Sequence, residues 1–276
     1  MGSQWDNFLK NLGTWRGSFS TLNLSGEILN DVPSILTLAP VDGDRNCVKL
    51  DLKRYESGSY NDPPSSHINQ NFQSLGRHMI FSETGAFSKG VMWFSTMMDF
   101  IAEFGFVEGD RRLRMVQIYD ADYKFDKLVF IREFRDGTDA KERPALTVDQ
   151  LVGTWEAEAQ TYRPDFEPPT TSHSRLRISV EGDQLKQSIE LENRTIQTQA
   201  KINGNQLKFD SDIPRQITLL PDGGSINVPL QVFAKTAFFV EVGWLVSDNV
   251  RQRIMRNFDD QGKWESSVFI TEKRVA

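Results

Sequence analysis

Two glutamates sit in unusually apolar company, Glu103 in "DFIAEFGFV" and Glu241 in "AFFVEVGWLV". Each is followed about ten residues later by arginines spaced two apart, Arg112 and Arg114, then Arg251 and Arg253. In an extended chain residues i and i+2 share a face, so each Arg-x-Arg pair points one way. Two chemistries are open to such a set. If the glutamates face inward, desolvation demands a cationic partner, and the neighbouring strand offers one. The pair could then act as an acid and base. If the arginines face inward unpaired, they form a clamp for a carboxylate or phosphate. Alternation equally allows all six to face solvent, and hairpin register decides. Arg132 and Arg256 lie on neighbouring strands and belong to the same question. The candidate ligand-binding set is Trp93, Glu103, Phe104, Arg114, Arg132, Glu241, Trp244, Arg253 and Arg256; no catalytic residue is named.

The positions recur because the chain is written twice. "NLGTWRGSF" answers "LVGTWEAEA", with Trp15 and Trp155 separated by 140. "PVDGDRNCVKLDL" answers "SVEGDQLKQSIEL", "RLRMVQIYD" answers "RQRIMRNFD", and "VFIREFR" answers "VFITEKR", all 139 apart, while Glu103 and Glu241 differ by 138. Ordered matches at a nearly constant offset mark a tandem duplication. "DPPSSH" and "EPPTTSH" fall off that offset and are a coincidence of polar loops. The cut belongs in the charged, period-free "RDGTDAKERPALTVDQL", which divides the chain into units 1–140 and 141–276.

Within a unit the periodicity is that of strands. "CVKLDLKRY" and "QLKQSIELE" alternate, and "VDGD" and "VEGD" supply hairpin-turn chemistry. "DADYKFDK" and "DDQGKWES" are the matching late turns. Trp5, Phe8, Leu9 and Leu12 form the stripe of a short opening helix, and Thr147 is placed to cap its counterpart. About eight antiparallel strands per unit, by rough count of turn signals, predict an all-β protein of two closed barrels or sandwiches.

A helix leading into Gly-x-Trp on the first strand resembles the signature of lipocalins and related calycins. In that family the Trp closes one barrel end and a basic residue late in the last strand packs over it. Gly13-Thr14-Trp15 with Arg135, and Gly153-Thr154-Trp155 with Arg274, match this twice. The resemblance therefore implies tandem up-and-down antiparallel β-barrels with Trp15, Arg135, Trp155 and Arg274 as closure residues. The whole chain is similar to the two-domain calycin family known mainly from cyanobacteria. Phycobiliprotein lyases are more distant by fold, and no sequence signature of theirs stands here.

Composition bounds the function. The 276 residues are 38% hydrophobic and 25% charged, with formal charge −6. That excess argues against nucleic acid or an anionic membrane as main partner. A single cysteine, Cys47, excludes an internal disulfide, fits a reducing compartment or indifference to redox state, and reads as a buried, inert thiol. No apolar run is long enough for a membrane span, and the polar start "MGSQWDNFLK" is no signal peptide, so a cytoplasmic location is expected. His67, His78 and His173 do not recur at the repeat offset, and neither metal spacing nor nucleotide or nucleophile motif is present. No cofactor is expected.

The run "FSKGVMWFSTMMDFIAEFGF" places Trp93, Phe94, Met97, Met98, Phe100, Phe104 and Phe106 close together, either as core and barrel–barrel interface or as adaptable pocket lining. Ala157, Ala159 and Thr161, small residues on the Trp155 face, leave room for a cavity. The leading expectation is a carrier of a mainly apolar small molecule, with or without an anionic end, such as a pigment, isoprenoid or lipid. Its rivals are a cyclase, isomerase or chromophore-handling enzyme that works by orientation, since tandem lipocalin-like barrels resemble certain pericyclases and carotenoid-modifying enzymes, and an interaction scaffold with both barrels filled. Which barrel is hollow, and whether the protein is a homodimer, stay open.

Overall fold

A computed structural model describes residues 3–95, 99–165 and 167–275. Each half opens on a short helix, α1 (Gln4–Leu9) and α2 (Val148–Leu151). Both begin in a capping box: Ser3 with Asp6, and Thr147 with Gln150. In each box two backbone donors that the first turn leaves without partners are satisfied reciprocally.

The first half carries β1 (Gly13–Leu22), β2 (Ile28–Val41), β3 (Asp44–Arg54), β4 (Ser66–Phe72), β5 (Met79–Phe81), β6 (Phe87–Gly90), β7 (Ile101–Glu108), β8 (Arg111–Tyr119) and β9 (Phe125–Arg135). The second carries β10 (Gly153–Tyr162), β11 (Thr170–Glu181), β12 (Gln184–Leu191), β13 (Arg194–Asn203), β14 (Gln206–Phe209), β15 (Arg215–Leu219), β16 (Gly224–Pro229), β17 (Phe238–Ser247), β18 (Val250–Phe258) and β19 (Trp264–Val275). The all-β tandem architecture is as expected, with nine and ten strands rather than eight. All pairings are antiparallel between sequence neighbours, with β1 meeting β9 and β10 meeting β19. The second sheet closes into a ten-stranded barrel. The first curls without a ladder between β4 and β5, so it is a half-barrel.

The duplication is legible in the turns. Asp120 Oδ1 accepts the backbone N–H groups of Asp122 and Lys124, as Asp259 Oδ1 accepts those of Gln261 and Lys263. Asp42 and Gly43, both at positive φ, make the tight β2–β3 hairpin.

The two halves share one hydrophobic core. Phe104, Phe106, Met115 and Phe130 of the first pack with Val228, Val242, Trp244 and Phe258 of the second, all under 3% exposed. These side chains alternate outward from β7, β8 and β9 and from β16, β17 and β18. Polar contacts cross the same seam: Gln117 Nε2 donates to Glu241 O at 2.9 Å, and Gln216 Nε2 and Thr218 Oγ1 both donate to Leu24 O. The aromatic run of the first half thus serves the inter-barrel core through Phe94, Phe100, Phe104 and Phe106. Met97 and Met98 lie outside the described residues. Cys47 is half-buried rather than sealed, because Val48 takes the inward position beside it. Among the described residues no helix is long and apolar enough to cross a membrane.

Candidate functional site

At the base of each barrel an indole is fully buried. Trp15 Nε1 donates to Asn11 O at 3.0 Å, and Trp155 Nε1 to Leu151 O at 2.9 Å, so each ring is tied to the chain that leads into its strand. Arg135 lies 4.4 Å over Trp15 and Arg274 4.2 Å over Trp155, within cation–π range. Their guanidiniums also reach the entering backbone, Arg135 to Leu12 O and Arg274 to Gln150 O and Val152 O. The glycine of each Gly-Thr-Trp is there for space and conformation. Gly13 and Gly153 have φ near +138° and +131°, and a Cβ on Gly153 would come within 2.6 Å of Arg274 Nη1.

Above each indole runs an ion-pair ladder. In the second barrel Arg251 Nε donates to Glu272 Oε2, while Arg253 donates to Glu272 Oε1 through Nε at 3.1 Å and Nη2 at 2.9 Å. Arg253 Nη1 reaches Glu241 Oε1 at 2.8 Å. In the first half Glu133 takes Arg112 Nη1 at 3.1 Å and Arg114 Nη2 at 2.8 Å, and Arg114 Nη1 reaches Glu103 Oε1 at 3.1 Å. Glu103 and Glu241 are therefore turned inward beside arginines of the next strand. The Arg-x-Arg clamps close on the protein's own carboxylates.

Glu133 and Glu272 were not singled out from the sequence, though both stand at the 139-residue offset inside the matched last strands. They look like ordinary charges near a terminal Arg. A second signal was available: Gly17 and Ala157 are their cross-strand partners on β1 and β10, and a small residue there makes room for the carboxylate and its two guanidiniums. Ala157 accordingly lies beside the ladder and not on the wall of the cavity bounded by β11–β18. Burial pushes the pKa of Glu133 and Glu272 up, but the paired arginines outweigh it, and both carboxyls lie below their ordinary range. Burial lowers Arg112 to about 10 despite Glu133, whereas Arg114 and Arg253, desolvated but each flanked by two carboxylates, are raised.

The ladders diverge at their upper ends. Glu103 Oε2 meets Lys89 Nζ at 3.5 Å. At the matching place Glu241 Oε2 accepts Asn227 Nδ2 at 3.2 Å, and Asn227 Oδ1 in turn accepts Arg215 Nε at 3.2 Å. The second ladder thus ends on Arg215, which rests 3.6 Å over the Phe239 ring.

The interiors differ too. In the first half Phe19 fills the space, with Arg54 at 4.3 Å and Arg114 at 5.3 Å from its ring, Phe87 lies over Gly105, and Tyr60 reaches in to donate to Gly17 O. The second barrel holds a cavity of about 1180 Å³. Its wall is drawn from β11 to β18: Leu176, Ile178, Ile189, Leu207, Phe209 and Ile217 supply apolar surface, and Arg215, Asn227, Glu241 and Arg253 supply the polar side.

Of the proposed binding residues, Glu241 and Arg253 line this cavity, and Glu103 and Arg114 occupy the equivalent place in the first half. The other five lie elsewhere. Arg132 faces outward, one residue out of phase with Glu133, and pairs with Glu142 and Asp31. Arg256 faces the inter-barrel seam, where Ser88, Ser267 and the carbonyls of Gly90 and Val91 surround it. Phe104 and Trp244 are sealed in the shared core, with Trp244 Nε1 donating to Asp222 O. Trp93 is 57% exposed and bridges to Lys263. For Phe104, Trp244 and Arg256 the cause is the same: each half covers an outer face of the other, so outward positions there are buried and burial no longer tells inside from outside.

Among the described residues no cluster of His, Cys, Asp and Glu could hold a metal ion.

Residues 1–138 match the N-terminal domain model of DUF3598, a domain of unknown function, and residues 142–275 match the C-terminal domain model of "biogenesis factor required for ATP synthase 1". A crystal structure of a protein of unknown function from the DUF3598 family, from Nostoc punctiforme, is 38% identical, with all of both chains covered and a TM-score of 0.92. The S-type phycobiliprotein lyase CpeS from Guillardia theta is 14% identical over 46% of this chain and 90% of its own, at TM-score 0.37. No curated protein matches the chain.

Proposed function

The chain belongs to the DUF3598 family, and from that premise we propose that it binds an apolar small molecule inside its second barrel. The observation that carries this reading is the cavity of about 1180 Å³ enclosed by β11–β18. Its size suits a ligand of drug size or larger, and its lining combines an apolar majority with a few convergent polar groups. The first half acts as a filled scaffold whose outer face seals the barrel it leans on. The carboxylates are engaged by guanidiniums on the ladder, which favours a wall-building role for Glu103 and Glu241 over proton transfer. Binding, rather than acid–base catalysis, is the reading the arrangement supports best.

Native mass spectrometry of protein purified from its own host tests it. A bound mass in the wild type that is reduced or missing in Ile217→Trp, which projects a bulky ring into the cavity, is the expected result. Identical, ligand-free spectra for both, together with no uptake of added hydrophobic dyes, would remove the proposal.

A second reading rests on the match of residues 142–275 to a domain named for an ATP synthase biogenesis factor. On that reading the protein is an assembly factor, and ATP synthase subunits from its host would co-purify with Ile217→Trp as well as with the wild type.

A further inference from the structure

Resting on the cavity-binding reading, we infer that Arg215 is the anchor for a singly charged anionic head, a carboxylate, on an otherwise apolar ligand.

The argument is one of unspent charge and unspent donors. Among the arginines that line the cavity, Arg251 and Arg253 are held by Glu272 and Glu241. Arg177 pairs with Glu190 at the exposed rim. Arg215 has no carboxylate within ion-pair distance among the described residues. Its Nε donates to Asn227 Oδ1, and its Nη2 to the carbonyls of Asn227 and Phe239 at 3.3 and 3.0 Å. Nη1 donates to no described residue. The three neutral acceptors and the Phe239 ring fix the fork's plane while leaving one edge free, a pre-organised arrangement for a guanidinium that must recognise an oxyanion.

Charge counting points to the valence of the ligand. Inside the barrel three guanidiniums, Arg215, Arg251 and Arg253, face two carboxylates, Glu241 and Glu272, and Lys186 on the exposed rim is paired with Glu181, so one positive charge is unmatched. A carboxylate balances it, whereas a phosphate dianion would overshoot. Asp210, also on the lining, is exposed at the mouth and makes no ion pair with Arg215. Burial lowers Arg215 to about 10, a cost for the charged form that an incoming anion would relieve. The apolar residues Leu207, Phe209 and Ile217 give the ligand's body a wall beside this head. At the position equivalent to Asn227 the first half has Lys89, which closes directly on Glu103, and its own guanidinium without an ion pair among the described residues, Arg54, is covered by the Phe19 ring rather than facing open space.

The test is calorimetric titration with dodecanoate, 1-dodecanol and dodecyl phosphate, which share one chain and differ in head charge. Wild type should bind dodecanoate at least tenfold more tightly than either of the others. Arg215→Gln should weaken dodecanoate roughly ten- to a hundredfold, the range of a charge-assisted contact, and leave dodecanol within about twofold. Arg215→Lys should recover part of the loss, and Arg163→Gln, a change in the exposed β10–β11 loop away from the cavity, should leave all three unchanged. Circular dichroism checks that each variant folds; if Arg215→Gln does not, the head-group preference of the wild type and Arg215→Lys decide the matter. Equal affinity of wild type for dodecanoate and dodecanol overturns the anchor while sparing the cavity reading. Equal losses for both ligands in a folded Arg215→Gln do the same. Tighter binding of dodecyl phosphate overturns the choice of a carboxylate. Failure of every probe to bind overturns the anchor and counts against the cavity reading as well.

Discussion

Replacing Glu272 by Gln should be among the most damaging single changes in this protein. Glu272 is fully buried and accepts from Arg251 Nε and from Arg253 Nε and Nη2. Gln keeps one acceptor oxygen and turns an NH₂ toward a guanidinium, leaving two desolvated cations with only Glu241 between them. Breaking a buried pair by removing one partner costs about 3–5 kcal/mol. For a chain of this size each kcal/mol moves the melting temperature by about 2–4 °C, so a fall of roughly 6–20 °C is expected. The effect should depend on pH in a definite direction. The folded carboxyl lies below the ordinary value of 4.5, so its stabilisation is fully present above that value and is lost as pH falls through the folded pKa. The gap between wild type and Glu272→Gln should therefore be constant near neutrality and shrink below about pH 4. Urea unfolding followed by tryptophan fluorescence, from pH 3 to 8 and with the exposed change Glu192→Gln as control, reads both effects. A destabilisation under about 1 kcal/mol at pH 7, or a gap that widens in acid, would refute the account of the ladder.

Four further outcomes follow from the same geometry. Gly153→Ala should destabilise by about 2–4 kcal/mol, since the backbone conformation there is essentially glycine-only and the new Cβ meets Arg274 Nη1; a melting temperature within 1 °C of wild type would contradict this. Phe104→Ala should cost about 3–5 kcal/mol, because the ring is wholly buried in the core the halves share. In calorimetry both halves of the wild type should unfold in one transition, whereas independent transitions in wild type would argue against a shared core. Glu133→Gln should reproduce the Glu272→Gln loss in size and pH dependence, since Glu133 is equally buried and equally paired.

Much was open to inspection in the linear chain, and for a physical reason. Tandem copies restate each local constraint, so a feature such as Gly-Thr-Trp with its late arginine can be checked against itself. Strand periodicity, hairpin turns and the Thr147 helix cap depend on neighbours within a few residues. That sufficed for an all-β pair of barrels and for the indole plugs. The inward turn of Glu103 and Glu241 could be framed but not decided, because it depends on the pairing of β7 with β8 and of β17 with β18. Only the folded molecule shows that Arg132 and Arg256 sit one residue out of phase with the ladder, and that Phe104 and Trp244 belong to the seam. Pairing register and the packing of one barrel on the other are contacts between residues far apart in the chain. Nor does sequence reveal which barrel is hollow: Phe19, Phe87 and Tyr60 fill one interior while Arg215 and Asn227 border open space in the other, a difference of shape summed over many strands.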